Sequence, residues 1–144
     1  MPATKQSVII NRPVQEVWKF ISNIENAPKW DRAVIAGHQI TEGPLGVGIT
    51  WQTTRQVFGR RRTPTYVVSE YEANHKIALK AFLGPFQGQV RFAFESVPEG
   101  TRFTQSFEME SSGGWNLLTP FLVRMLTRDG EADLANIKRV LEDG

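Results

Sequence analysis

Residues 33–110 of this 144-residue chain form a succession of short runs in which apolar and polar side chains alternate, and this pattern limits the fold most strongly. The runs are rich in Val, Ile, Phe, Tyr and Thr. Alternation with a period of two is typical of strands with one buried face. The runs are separated by the turn-forming stretches EGPLGVG (42–48), FGRRRTP (58–64), EANHK (72–76), LGPFQG (83–88) and PEG (98–100). This region therefore predicts an antiparallel meander of six strands.

The last two predicted strands alternate most clearly. One face of this pair carries apolar residues and one amide, namely Val90, Phe92, Phe94, Phe103, Gln105, Phe107 and Met109. The other face carries charges, namely Arg91, Glu95, Arg102, Glu108 and Glu110. Because side chains alternate across a strand, we expect the aromatic face to point into the protein.

Helical patterns flank the meander. The segment SVIINRPVQEVWKFI (7–21) begins as a short strand and continues at helical spacing, with Pro13 suited to the first turn. A second helical turn around residues 24–27 is expected to end before Pro28, since proline disfavours helical backbone in the residue that precedes it. From Thr119, a predicted N-cap, one long helix is expected to run to the end of the chain.

Composition excludes several classes of protein. The chain has no cysteine, which excludes disulfides, thiolate metal sites and cysteine nucleophiles. Its net charge of +2 is too small to indicate a nucleic-acid partner. The sequence shows neither a signal-peptide pattern nor an apolar run of about 18 residues that could span a membrane. We expect one domain over residues 1–144, located in the cytoplasm, without an integral membrane segment.

The order of elements predicts an α+β fold. A strand, two short helices, the meander and one long helix give a seven-stranded curved antiparallel sheet, with the C-terminal helix over its concave face. A helix about 10 Å across does not fill the concavity of such a sheet, so a space should remain between them. Aromatic and apolar side chains would line it, which suits a hydrophobic ligand.

Three segments resemble the START-like superfamily, also called SRPBCC, which has the helix-grip fold. INRPVQEVWKFISNIENAPKW (10–30) resembles the opening strand, the proline-started helix and the Pro-x-Trp ending of that family, and ADLANIKRVLE (132–142) resembles its closing helix. VSEYEANHKIAL (68–79) is similar to its turn between two sheet strands, although Asn74 and His75 replace a proline and a basic residue. The resemblance covers essentially the whole chain. It implies relatives among polyketide cyclases and lipid-transfer domains.

Trp30 follows Pro28 closely and precedes a predicted strand. We expect it to fill the junction where the two short helices re-enter the sheet. Burial of about 200 Å² of its surface there would contribute a few kcal/mol to stability. Its predicted role is therefore structural rather than direct contact with a ligand.

No catalytic or metal-binding pattern is present. The histidines are His38 and His75, which have no third ligand at metal-binding spacing, and the sequence lacks the G-x-S-x-G of a nucleophile elbow. We therefore predict no catalytic residue, no metal and no cofactor.

The predicted ligand-binding residues are the inward aromatic set with a few polar groups. If Trp51 faces inward, Thr53, Arg55 and Val57 do so as well, and a buried arginine or glutamine needs a partner. Asp129 is the expected partner of Arg55, with solvation at the sheet edge as the alternative. Gly130 should allow close approach either to the sheet or to a ligand. The full predicted set is Trp51, Arg55, Phe92, Phe94, Phe103, Gln105, Phe107, Met109, Phe121, Met125 and Asp129.

The leading functional hypothesis is a module that binds a small hydrophobic molecule or lipid. The alternatives are an enzyme of the polyketide cyclase or dehydratase type acting in the same cavity, and a co-chaperone-like interaction domain.

The basic turn GRRRT (59–63) is either a solvated turn or a contact for an anionic membrane or acidic partner. The segment WNLLTPFLVRML (115–126) is apolar on almost every side, which leaves open a second subunit, as in a homodimer, or a membrane on its outer face.

Overall fold

The structure is a computed structural model, and it describes residues 3–57, 59–83, 86–110 and 119–143. Its strands are β1 (Ala3–Ile10), β2 (Val34–Gln39), β3 (Thr50–Val57), β4 (Arg60–Arg62), β5 (Thr65–Glu72), β6 (Lys76–Leu83), β7 (Phe86–Val97) and β8 (Gly100–Glu110). Its helices are α1 (Val14–Ile21), α2 (Ala27–Trp30) and α3 (Thr119–Asp143), with a 3₁₀ turn over Ile24–Asn26 before α2. The predicted α+β order is confirmed. Pro13, expected at the start of the first helix, instead lies just before α1 as its N-cap, with extended backbone (φ −61°, ψ 150°).

The strands form one antiparallel sheet. Seven of them follow the path β1-β8-β7-β6-β5-β3-β2, so the chain runs as a meander and β1 closes onto β8. The eighth strand, β4, lies off this path and pairs with the end of β3. It falls inside the FGRRRTP stretch that the sequence indicates as a turn. Three residues are too few to show an alternating pattern, which explains why the sequence did not predict this strand.

The sheet is curled, with interruptions in register at two places. One lies between Val34 and Ala36 in β2, and the other lies between Val68 and Glu70 in β5. Such bulges bend a strand and increase its twist. They help to close the sheet into a half-barrel with one concave face.

The predicted faces of β7 and β8 are confirmed. Phe92 and Phe94 on β7, and Phe103 and Met109 on β8, are buried, whereas charged neighbours such as Glu95 are exposed. The side chain of Glu110 lies outside the described part of the chain. The aromatic face therefore points into the concavity.

The expected helix end before Pro28 is wrong. Ala27 has helical backbone angles, φ −52° and ψ −40°, and α2 begins at Ala27 with Pro28 in its first turn. In a first turn the missing N–H of proline removes no hydrogen bond within the helix. Pro28 therefore opens a new short helix after the 3₁₀ turn ends at Asn26.

Trp30 lies at the end of α2 with 7% of its surface exposed, and its ring meets Phe92 edge-on at a centroid distance of 6.4 Å. Its carbonyl oxygen accepts a hydrogen bond from the side chain of Asn136 on α3. Trp30 thus joins α2 to the sheet and to α3, in agreement with the structural role that the sequence predicts.

The described part of α3 lies with its backbone close to β1 and α2. A Cβ atom built on Gly130 would lie 2.1 Å from Oε1 of Gln6, whose Nε2 donates to the carbonyl oxygen of Thr127. Of the two uses expected for Gly130, the structure therefore supports close approach to the sheet. The predicted cap at Thr119 concerns a side chain outside the described residues.

The last turns of α3 are fixed to the β1–α1 junction by polar contacts. Lys138 Nζ donates to the carbonyl oxygen of Ile9 at 2.6 Å and to Glu142 at 2.7 Å, and Glu142 also accepts from the Asn11 N–H at 2.8 Å. Leu134 and Ile137 are buried in the core. The closing motif of the sequence therefore anchors the helix through both apolar and polar side chains.

The contact between Gly130 and Gln6 gives a test in the form of a double-mutant cycle. Alone, Gly130→Ala should lower the free energy of unfolding or leave it unchanged, because about 1 kcal/mol gained in helix propensity is offset when Gln6 is displaced from Thr127. In a Gln6→Ala background, the same substitution should raise the free energy of unfolding by about 1 kcal/mol. Urea denaturation of the four proteins measures the coupling, and an equal effect in both backgrounds would contradict the packing described.

Candidate functional site

The structure places most of the predicted site residues on the concave side of the sheet. Trp51, Phe92, Phe94, Phe103 and Met109 are buried there, and the Cα atoms of Phe92 and Gln105 are partners across β7 and β8. On α3, Met125 is half-buried and Asp129 is exposed. The side chains of Val57 and Phe121, and residues 111–118, lie outside the described part of the chain.

The aromatic rings of this face form a continuous series. Phe92 and Phe94 both contact Phe103, with centroid distances of 5.6 and 5.1 Å. Trp30 extends the series from Phe92, and Trp18 of α1 extends it from Phe94 at 5.1 Å. The concave face is therefore an apolar wall that α1 and α2 cover at its margins.

The exposure of this wall changes along β8. Phe103 has no exposed surface, whereas Gln105 and Phe107, on the same face, are only partly buried. An inward residue with exposed surface must border space that protein atoms do not fill. The wall is thus closely packed near Phe103 and more open towards Phe107.

Arg55 on β3 faces the interior with 25% of its side chain exposed, and its Nη2 lies 3.0 Å from Oδ2 of Asp31. The expected pairing with Asp129 is wrong. Asp31 follows α2 directly, and its Oδ1 accepts from the N–H of Ala33 at 3.0 Å, so both carboxylate oxygens are used. Burial is the largest single influence on Arg55 and lowers the pKa of the guanidinium, but the charge and hydrogen bond of Asp31, together with Tyr66 and Asp133, raise this pKa above its ordinary value.

Besides Asp31, the sequence analysis missed Asp133 on α3. It is 8% exposed, and burial, followed by the charge of Asp31, raises its pKa to about 8, although Arg55 acts in the opposite direction. Asp133 is therefore mostly protonated at neutral pH. Helical spacing could have found it, because Asp133 lies on the same face of α3 as Gly130 and Ile137.

Two buried polar atoms have no hydrogen-bond partner among the described residues. They are the indole donor Nε1 of Trp30 and the amide acceptor Oε1 of Gln105. Leaving such an atom unpaired inside a protein costs on the order of 1–3 kcal/mol. On β3 and β5, Thr53 Oγ1 and Tyr66 Oη form a hydrogen bond with each other at 3.2 Å. The interior therefore holds polar groups that a bound molecule could pair.

Among the described residues, no group of three or more His, Asp or Glu side chains is placed to hold a metal ion. His38 and His75 are both exposed and far apart in the chain. No described helix is long and apolar enough to cross a membrane.

A groove of about 720 Å³ lies elsewhere, beside the start of α1 and the turn that precedes β6. The ion pair between Arg102 and Glu95 lies in its wall. Its lining residues are Val14, Gln15, Asn74, His75, Ala93, Phe94, Glu95, Ser96, Arg102 and Thr104. Of the predicted site residues, this groove includes Phe94 alone, so it does not coincide with the predicted site.

The raised pKa of Asp133 predicts how stability changes with pH. Between about pH 4, near its ordinary pKa of 3.8, and about pH 8, the folded protein holds one proton more than the unfolded chain. The free energy of unfolding should therefore fall as pH rises through this range, by at most about 1.4 kcal/mol per pH unit. Asp133→Asn cannot ionise, so it should reduce this decline and be more stable than wild type at pH 8.

Urea denaturation at pH 5, 6.5 and 8 measures the difference between the two proteins. Asp129→Asn is the matched control, because it changes an exposed carboxylate one turn away on the same helix. If Asp133→Asn and Asp129→Asn follow the same pH dependence, Asp133 does not carry the extra proton.

Comparison with solved structures supports the fold. The chain is 15% identical to TTHA0849 from Thermus thermophilus, with a TM-score of 0.79 over 99% of this chain and 98% of that one. It is 14% identical to the Zhui aromatase/cyclase from Streptomyces sp. R1128, with a TM-score of 0.77 over 97% and 93% of the two chains. It is also 14% identical to Ara h 8.0201, with a TM-score of 0.76 over 99% and 98%. At these identities the likeness concerns the fold alone.

Among curated proteins, no sequence matches this chain. The family described as "Polyketide cyclase / dehydrase and lipid transport" matches residues 1–142, almost the whole length. The helix-grip architecture and this match agree with the resemblance found in the opening and closing segments of the sequence. The chain therefore belongs to the polyketide cyclase/dehydrase and lipid transport family.

Proposed function

We propose that the protein binds a small hydrophobic or lipid-like molecule between the concave face of the sheet and α3. The observation that carries this proposal is the aromatic wall of β7 and β8, whose inward residues Gln105 and Phe107 keep exposed surface. Membership of a family whose description includes lipid transport supports the same function.

The wall supplies the affinity. Removing apolar surface from water contributes about 25 cal/mol per Å², so a ligand that covers about 100 Å² of ring surface gains roughly 2.5 kcal/mol from that contact. A mostly apolar concavity with a few polar groups is typical of small-molecule sites.

The polar groups supply the orientation. The amide of Gln105 lies opposite Phe92 in the sheet, and Trp30 packs against the same ring, so two unpaired polar atoms border one aromatic side chain. Arg55 is held in place by Asp31 and retains some exposed surface. A ligand with one or two oxygen atoms could satisfy these groups without losing its apolar contacts.

The binding proposal is tested with N-phenyl-1-naphthylamine, a neutral fluorescent probe. Phe107→Gln replaces a ring of the wall with an amide, so probe affinity should fall about tenfold, which is roughly 1.4 kcal/mol. Glu108→Gln introduces the same residue at the adjacent exposed position, and affinity should stay within about twofold. Fluorescence titration measures both.

Thermal unfolding of both variants provides the control for folding. If wild type does not bind the probe, or if the two substitutions weaken binding equally in folded proteins, the concave face is not the binding surface.

A second candidate function is a cyclase or dehydratase reaction in the same space, and the observation that favours it is Asp133. A carboxylic acid that keeps its proton near neutral pH can act as a general acid, giving that proton to a leaving hydroxyl so that water departs. Asp133→Asn should then abolish turnover of a synthetic poly-β-ketone while N-phenyl-1-naphthylamine still binds as in wild type. Full retention of turnover in this variant would reject the role of Asp133, and no turnover in wild type would reject the reaction.

A further inference from the structure

The run of arginines in β4 is divided between the two faces of the sheet by its pairing with β3. Arg62 lies opposite Arg55 and Arg60 lies opposite Val57, whereas Arg61 lies opposite Gln56. Directly opposite residues of an antiparallel pair project from the same face. Arg62 and Arg60 therefore share the inner face with Arg55, and Arg61 belongs to the outer face.

The residues that follow β4 support this assignment. The N–H of Thr53 donates to the carbonyl oxygen of Pro64 at 3.2 Å, so the register of β4 continues into β5. Pro64, two residues after Arg62, is buried, and the hydroxyl of Tyr66 meets the buried Thr53. Arg62, Pro64 and Tyr66 therefore all belong to the inner face, because the register is continuous from β4 into β5.

The charges on this part of the inner face are not balanced. Asp31 binds Arg55, and the exposed Arg62 and Arg60 have no carboxylate within ion-pair distance in the described part of the chain. Like charges directly opposite each other in a sheet are destabilising, so the charge of Arg62 opposite that of Arg55 opposes folding. Asp133, protonated at neutral pH, adds little negative charge to compensate. The inner end of the β3–β4 hairpin is therefore a site of positive charge on the concave face of the sheet.

We propose that Arg62, assisted by Arg60, binds the anionic head group of an amphiphilic ligand whose apolar part lies against the aromatic wall. This inference rests on the proposed binding function and names the class of ligand, a molecule with a carboxylate or phosphate at one end. A guanidinium presents a planar fork of N–H donors that matches such a group, and the pair is stronger than a neutral hydrogen bond. The inner position of Arg62 favours a ligand in the concavity over a partner that meets the whole hairpin, since such a partner would use Arg61 as well.

The test compares decanoate with 1-decanol, which have the same chain length and differ in the charge of the head group. Each competes with N-phenyl-1-naphthylamine at about pH 7.5, where decanoate is ionised. Wild type should bind decanoate more tightly than 1-decanol, and added salt should reduce this preference. Arg62→Gln should lower decanoate affinity about fivefold to tenfold and leave 1-decanol affinity unchanged.

Arg61→Gln is the matched control, because it removes the same charge from the same strand on the outer face. It should change decanoate affinity by less than about twofold. Both positions are exposed, and Arg62→Gln also removes a like-charge pair, so its unfolding temperature should not fall below that of wild type.

The outcomes separate this inference from the function on which it rests. If neither decanoate nor 1-decanol displaces the probe, the binding function itself fails. If both bind but Arg62→Gln behaves like Arg61→Gln, ligand binding stands and the head-group site is rejected. Equal loss of binding to phosphatidylglycerol vesicles by both variants, with decanoate affinity unchanged, would instead assign the arginines to a membrane contact and overturn the inference.

Discussion

The position of α3 along one side of the sheet is the constraint on which the rest of the structure depends. Seven strands about 4.8 Å apart span roughly 30 Å, and a helix is only about 10 Å across, so one helix covers a fraction of the concave face. Gly130 brings α3 against Gln6 of β1, and Lys138 and Glu142 fix its last turns to the junction after β1. The described part of α3 therefore covers the concave face near β1, and α1 and α2 cover the strands farther along the sheet only at the margins.

The same segment of α3 that anchors the helix also supplies polar groups to the interior. Asp133 lies one turn after Gly130, and Asn136 binds the carbonyl oxygen of Trp30. Close approach to β1 thus fixes how far each turn of the helix lies along the sheet, so that Asp133 is buried whereas Asp129, one turn earlier on the same side, is exposed. Burial of Asp133 beside Asp31 then raises its pKa, so the anchoring of the helix and the chemistry of the interior have one structural cause.

Local patterns predicted the parts of the fold that repeat with a fixed period. The inward faces of β7 and β8 follow from alternation alone, and so does the inward position of Trp51 once β3 is recognised. The ion pair of Arg55 with Asp31 could not be predicted in this way. Asp31 directly follows α2, and the sequence analysis expected the helical turn to end before Pro28. Asp129 was predicted as the partner of Arg55, whereas the structure pairs Arg55 with Asp31 and buries Asp133, one turn after the exposed Asp129. The split of the arginines between two faces depends on a strand of three residues, which is too short for any periodic signal.

β4 has a consequence for how copies of this protein behave towards one another. Among the described strands it pairs with β3 alone, and an edge without a second strand is the kind that recruits a strand from another molecule. If the β4 strands of two molecules paired, the three consecutive arginines of each would lie side by side. Repulsion between these guanidinium groups would oppose the pairing. The charged hairpin thereby opposes fibre-like growth through this edge in a chain whose aromatic interior is partly uncovered.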